Sequence, residues 1–315
     1  MVNRKTARSC CLRSWPRGWV RVSSLDLPDQ YREANRARWD ESVAVHAASE
    51  FYGVDRFLAG ESTLLPLDLD EVGDVAGKSL LHLQCHFGLD TLSWARLGAE
   101  VVGVDFAPSA VDTAREIAAQ SGLNAEFVES ELYASPEVLR DRLGTFDVVY
   151  VNIGALCWLP DIAGWAKVCA GFLKDGGQLY LRDVHPITFS VDDDAPVGEL
   201  PLRYPYFETE QPLHWSGDGD YADPAASFEH QESYEWNHGL GQIVTAVLEA
   251  GLQLDFLHEQ DWTVYPALPW LVETERGVWR LPDVEGKPDR RLPLMFSLRA
   301  TKAATPHRPS VPPSR

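Results

Sequence analysis

Apolar positions fall into two alternating rhythms between residues 79 and 183. Residues 79–83 form a short apolar run, as a buried strand does. Residues 89–97 follow with helical spacing and are closed by Gly98. Residues 100–104 make a second strand, ending at Asp105. Residues 108–121 read as a helix with Pro108 in its first turn and Gly122 just past its end. Proline suits the first turn and glycine suits the exit. Residues 125–129 and 146–151 are the third and fourth strands. In 161–173 the apolar positions 162, 165, 166, 169, 172 and 173 repeat at the helical period. Gly176 and Gly177 stop that helix, and 178–183 is a fifth strand. Upstream, 27–48 reads as a helix with Pro28 near its start. Downstream, 239–250 is a helix followed by Gly251, and 252–260 and 292–300 are two further strands. Strands alternating with helices predict an α/β fold built on a parallel, doubly wound sheet.

Residues 187–237 break this rhythm. They are rich in proline, glycine and acid and too long for a bare connection, so they predict a lid or inserted subdomain. Between 192 and 235 lie twelve acidic residues and one basic residue, Arg203. Eight aromatic residues fall between 204 and 236. Carboxylates beside aromatic faces attract cations, which points to an amine, another cation or an aromatic compound as ligand. An acidic, solvated loop with a few packed rings has the same composition.

Charge narrows the partners. The 315 residues carry 47 acidic and 28 basic side chains, a formal charge of −19. Six basic groups and no acid lie in residues 1–21, and three basic groups and no acid in 301–315, so the body carries −28. Such a field repels nucleic acid and other phosphate-rich partners. No apolar run approaches the length of a membrane span. Five cysteines, at 10, 11, 85, 157 and 169, form no CxxC pair, which argues against a disulfide framework or a structural metal and for a reducing, cytoplasmic location. Arg13 and Arg17 interrupt any segment that a signal peptide would need. Residues 1–24 therefore read as a disordered basic extension, 25–300 as one domain, and the proline-rich 301–315 as a disordered tail.

Ligands of doubly wound sheets bind beyond the carboxyl ends of the strands. Here those positions are 84–88, 105, 129–132, 152–154 and 183–185. The first strand and its turn read LHLQCHFG, the second strand ends in GVD, the fourth reads FDVVYVNIGALCWLPD, and the fifth GGQLYLRDVHP. With these motifs the chain resembles the class I S-adenosylmethionine-dependent methyltransferases over about residues 30–190, and 239–300 suit the end of that fold. The run LHLQCHFG is similar to a bacterial branch that methylates small molecules. The resemblance implies a Rossmann-like sheet of seven strands, mostly parallel with the last antiparallel, and a lid inserted between strands five and six. It also implies S-adenosylmethionine as cofactor and a small-molecule acceptor.

The family pattern is an acidic residue followed by three alternating glycines. Those positions hold His82, Gln84, His86 and Gly88. Gln84 and His86 must accept a strained backbone or use an altered turn, with their side chains offering hydrogen bonds near the amino-acid end of the cofactor; ordinary turn packing is the alternative. By resemblance, Asp105 accepts both ribose hydroxyls, a role compatible with capping the helix at 108–121. Glu131 meets the adenine amine and Leu132 packs its ring, or Glu131 is a solvated loop acid. Asn152 to Gly154 lie under the methionine chain, and Trp158 walls the acceptor pocket or packs in the core. The leading helix covers the cofactor with Trp39. Trp39 and His46, seven residues apart, share a face that is equally suited to the core. His46, Tyr52 and Tyr206 join the acceptor pocket.

His185 is the general-base candidate, since an imidazole titrates near neutrality; a structural or positioning histidine is the alternative, and some methyl transfers need no base. Three other function classes remain. A nicotinamide-dependent oxidoreductase would carry G-x-G-x-x-G where this chain has QCHFGL. A protein or RNA methyltransferase meets the charge objection in its RNA form. A non-catalytic binder could keep the fold without the reaction.

Overall fold

A computed structural model describes residues 29–304; the expected extension at 1–24 and residues 305–315 of the expected tail lie outside the described residues. Helix α1 (Asp29–Ala48) leads, followed by α2 (Val54–Leu58) and α3 (Pro66–Val72). The alternating stretch then runs β1 (Ser79–Leu83), α4 (Leu89–Arg96), β2 (Glu100–Asp105), α5 (Pro108–Ser121), β3 (Ala125–Glu129), α6 (Ser135–Val138), β4 (Phe146–Asn152), α7 (Ile162–Phe172) and β5 (Leu173–Val184). The inserted segment 187–237, the expected lid, holds β6 (Leu213–Ser216) and β7 (Glu232–Glu235). Next come α8 (Leu240–Glu249), β8 (Leu252–Gln260), β9 (Trp262–Thr263), β10 (Val272–Glu275), β11 (Val278–Arg280) and β12 (Met295–Lys302).

The main sheet has the order β3-β2-β1-β4-β5-β12-β8. β12 lies antiparallel between β5 and β8, with Leu298 opposite Leu181 on one side and Leu257 on the other. Seven strands with a single reversed one match the expected architecture.

Two-sided burial explains the strand sequences, because a sheet covered by helices on both faces needs apolar residues at successive positions. Leu81, Val149 and Leu181 face α7 and α8, meeting Trp165, Phe172, Ile243 and Val247. Leu80, Val148, Tyr150 and Tyr180 face the other way, toward Trp94 and Val72. Val43 of α1 and Phe57 of α2 join Val111 and Ile117 of α5 in a third cluster over the edge of the sheet.

Three features differ from the sequence reading. Helices α2 and α3 are short and their amphipathic pattern too brief to read. Residues 261–294 form a small antiparallel sheet, β10-β11-β9, whose strands of two to four residues carry no clear alternation. The last strand reaches Lys302, so residues 301 and 302 belong to the sheet rather than the tail. Lys302 Nζ donates to the carbonyls of Ala170 at 2.8 Å and Leu173 at 2.7 Å, anchoring that end. Among the described residues no helix is long and apolar enough to cross a membrane.

Candidate active site

The turn after β1 keeps a left-handed backbone at three alternating positions: φ is 58° at Gln84, 50° at His86 and 74° at Gly88. A residue with a side chain pays about 1–2 kcal/mol for that conformation. Local bonds offset it. His86 N–H donates to Asp105 Oδ2 at 2.7 Å, Cys85 N–H to the Val104 carbonyl at 3.0 Å, and Gln84 Nε2 to the Ala155 carbonyl at 2.9 Å. At Gly88 a Cβ would stand 2.5 Å from the Phe127 ring, so only glycine fits there. The altered turn is therefore a glycine path carried by two larger residues.

Asp105 closes β2 and also accepts from Ala107 N–H at 3.0 Å. Burial pushes its carboxyl up to about 6, a rise that the N–H donors of Ala107 and His86 partly offset.

His82 occupies the family's acidic position and is buried. Its Nε2 lies 2.9 Å from Asn152 Oδ1 and its Nδ1 2.7 Å from the Thr91 hydroxyl. Asn152 Nδ2 donates to the Asp90 carboxylate, which also takes the Thr63 hydroxyl. Burial lowers His82 to about 3, so it is a neutral strut joining β1, α4 and β4. Asn152, expected under the cofactor's methionine chain, is held by this strut.

The loop after β4 has a second organiser that the sequence reading missed. The buried Asp183 carboxylate accepts the backbone N–H groups of Gly154 at 2.6 Å, Ala155 at 3.2 Å, Leu156 at 3.0 Å and Val184 at 2.7 Å. The available signal was an acid ending one strand beside the loop of its neighbour. It does not orient His185.

Trp39, His46, Tyr52 and Trp158 do come together. Ring centroids lie 5.3 Å apart for Trp39 and His86, 5.1 Å for His46 and His86, 5.5 Å for Tyr52 and His86, and 5.3 Å for Trp39 and Trp158. The His86 ring thus meets the leading helix, with its Nε2 on His46.

Glu131 caps the short turn after β3, accepting from Tyr133 N–H at 2.8 Å and Ala134 N–H at 3.1 Å. With Phe106, Ser130, Arg32 and Arg36 it lines an open cleft of about 350 Å³ beyond β2 and β3. Leu132 needs correction: it is turned into the core beneath α7, because the turn that presents Glu131 points its neighbour inward. Phe106 is the aromatic side chain lining the cleft.

His185 and Tyr206 lie elsewhere. The buried His185 ring packs on Phe296, its Nδ1 accepts Ile187 N–H at 3.2 Å, and its Nε2 lies 3.0 Å from Glu259 Oε1 without hydrogen-bond geometry. Burial lowers its pKa, and Glu259 opposes that shift. It faces the β8 edge of the sheet and is not among the residues lining either cavity. Tyr206 braces the start of α8: its hydroxyl accepts Leu240 N–H at 3.0 Å and its ring covers Gly239. The lid side chains that do line a cavity include Tyr204, Trp215, Glu235 and Trp236.

Residues 81–179 match the family model described as a methyltransferase domain. The ubiquinone biosynthesis O-methyltransferase of Xanthomonas oryzae pv. oryzae is 32% identical over 133 residues, which are 41% of this chain and 54% of that protein. Its namesake in Nitrosococcus oceani is 30% identical over 123 residues, 38% of this chain and 50% of that protein. The chain thus spans about half the length of the curated relatives it matches. An S-adenosylmethionine-dependent methyltransferase from Mesorhizobium loti superposes with a TM-score of 0.51 at 18% identity, covering 78% of this chain and 100% of that one. The PH0226 protein of Pyrococcus horikoshii gives 0.50 at 15% identity, covering 81% and 95%. The fold is that of the class I S-adenosylmethionine-dependent methyltransferases. Within it, residues 81–179 are the stretch that resembles the methyltransferase-domain family.

Proposed function

We propose that this protein binds S-adenosylmethionine along the crest of β1 and β2 and methylates a small-molecule acceptor. The observation that carries the reading is the left-handed path at 84, 86 and 88, tied by His86 to Asp105, whose neighbour Phe106 lines the cleft beyond β2 and β3. The residues present suit the cofactor. Gln84 Oε1 is buried without a partner among the described residues, and a lone pair there suits the cofactor's ammonium group. Each Asp105 oxygen has a lone pair left for a ribose hydroxyl, and Glu131 can accept from the adenine amine. When bound, S-adenosylmethionine supplies an electrophilic methyl group on a sulfonium.

The chain's own share is positioning and water exclusion. Asp183 holds the loop at 154–156, and Gln84 ties that loop to the cofactor turn. Trp39 and Trp158 cover the turn, and the lid closes over it. The charge of −28 on the body favours a sulfonium over the phosphates of a nicotinamide dinucleotide and a small acceptor over nucleic acid. The names of the relatives support an O-methylated small molecule. Buried free thiols at Cys85, Cys157 and Cys169 support a reducing, cytoplasmic setting. The domain would span 25–302, with 187–237 as its lid.

Calorimetry with adenosylhomocysteine tests the reading. Binding should be saturable, and Asp105→Ala should weaken it about a hundredfold, the loss of two charge-assisted hydrogen bonds. Absence of heat, or equal affinity in the variant, overturns it.

A further inference from the structure

The lid cavity lies against the loop that follows β4, and Cys157 of that loop forms part of its wall. Phe189, Tyr204, Leu213 and Leu268 supply flat or apolar surface. Two polar groups stand out. Glu235 ends β7 opposite Leu213. Trp236 follows it, only 4% exposed, and its indole N–H has no partner among the described residues. Trp236 backbone N–H donates to the Cys157 carbonyl at 2.8 Å. That bond fastens Glu235 and Trp236 to the loop whose Ala155 carbonyl receives the Gln84 amide. The cavity and the cofactor cleft therefore flank the turn after β1, one on the β4–β5 side and the other on the β2–β3 side.

We infer that this cavity takes a hydroxylated aromatic acceptor, that Glu235 accepts the hydroxyl proton during methylation, and that the Trp236 indole N–H binds another lone pair of the acceptor. The inference rests on the methyl-transfer reading above. A buried N–H without a partner calls for a lone pair in the ligand. An ammonium has none, whereas a phenol, a quinol or a ring carbonyl does. The aromatic walls suit a flat ring.

Burial raises the Glu235 carboxyl to about 7, a rise the neighbouring Trp215 indole partly offsets. A carboxylate of that basicity accepts a proton more readily than an exposed one. Cys157 and Tyr265, which feel its charge, have their own pKa values raised by burial and stay neutral. Tyr204 shares the cavity and donates to Asp193 at 3.1 Å. In the reaction the O–H proton passes to Glu235 and the oxygen lone pair forms the new bond to the methyl carbon. The electron pair of the broken carbon–sulfur bond stays on sulfur. A neutral ether, a thioether and protonated Glu235 result, and solvent later takes the proton.

The test uses 4-nitrophenol and benzylamine as probes, titrated into the full chain in the presence of adenosylhomocysteine. 4-Nitrophenol should bind more tightly than benzylamine. Glu235→Gln and Trp236→Phe should each weaken 4-nitrophenol about five- to tenfold, as loss of one buried hydrogen bond does, while adenosylhomocysteine affinity holds. The absorbance of the bound probe adds a readout that packing alone would not move. In Glu235→Gln the probe should ionise at lower pH, because an amide donor replaces the carboxylate. Should Glu235→Gln not fold, Trp236→Phe decides on probe affinity. Tighter benzylamine binding, or probe affinity and ionisation unchanged in both variants, overturns the inference alone. Loss of adenosylhomocysteine binding by the unaltered protein overturns the methyl-transfer reading, and the role of Glu235 with it.

Discussion

His46 stands between two partners: its Nδ1 lies 2.9 Å from His86 Nε2, and its Nε2 lies 2.9 Å from Asp220 Oδ1. Burial alone would raise Asp220, but the bond from His46 leaves its pKa lowered, so it is a carboxylate that accepts. His46 Nε2 therefore donates to Asp220, and His46 Nδ1 and His86 Nε2 share the second hydrogen bond. Burial lowers the pKa of His86 and keeps it neutral. The chain of bonds joins the lid, the leading helix and the turn after β1.

Cutting this chain should loosen the lid. Asp220→Asn replaces a charged acceptor by an amide, a loss of about 1–3 kcal/mol at a buried site. Hydrogen exchange across residues 213–235 should speed up while the strands of the main sheet keep their protection. Unchanged exchange in the lid would show that its other contacts hold it.

The glycine path at Gln84 predicts an ordering of variants. Gln84→Ala keeps the left-handed strain and loses the bond to Ala155, so it should cost about 1 kcal/mol. Gln84→Gly loses the same bond but relieves the strain, and should lie near the parent. Urea denaturation of both reads the difference; an alanine variant as stable as the glycine variant would refute it.

Asp183 holds three consecutive backbone N–H groups of the loop after β4. Asp183→Ala leaves these buried donors unmet, at a cost of about 3 kcal/mol or more. Melting temperature should fall by several degrees or more, and adenosylhomocysteine affinity should fall with it. A stable variant with native affinity would show that water replaces the carboxylate.

His82 predicts a pH dependence. Its ordinary value of 6.5 falls to about 3 on folding. Below 6.5 the unfolded chain takes the proton first, so the stability present above 6.5 is lost as pH falls toward 3. The slope approaches about 1.4 kcal/mol per pH unit. His82→Gln cannot titrate. The stability gap between parent and variant should therefore narrow by about 1.4 kcal/mol between about pH 7.5 and about pH 5.5. A constant gap in denaturant titrations would contradict the neutral strut.

Much of the fold was legible along the chain, and the site much less so. Strands 79–83 and 252–260 coincide with the structure, because a buried strand declares itself through apolar runs between turn residues. Positions 84, 86, 105 and 131 were singled out as candidates through strand ends, where such sheets bind ligands. Leu132 and His185 were read from the same rule, but strand-end position does not say which way a side chain points. Leu132 turns inward, and His185 turns to Glu259 across the sheet. Glu235 was one acid among twelve in the lid, with nothing local to distinguish it.

The order of hydrophobic and turn residues by itself determined the alternating core, the strand ends and the place of the inserted segment, since these depend on neighbours a few residues apart. Tertiary structure alone decided that His46 meets His86 and Asp220, that Asp183 serves the loop at 154–156, and that Glu235 and Trp236 wall one cavity. Those groups are separated by 27 to 174 positions or belong to a loop without periodicity. Their partners are set by where whole elements pack, and local propensity carries no record of that.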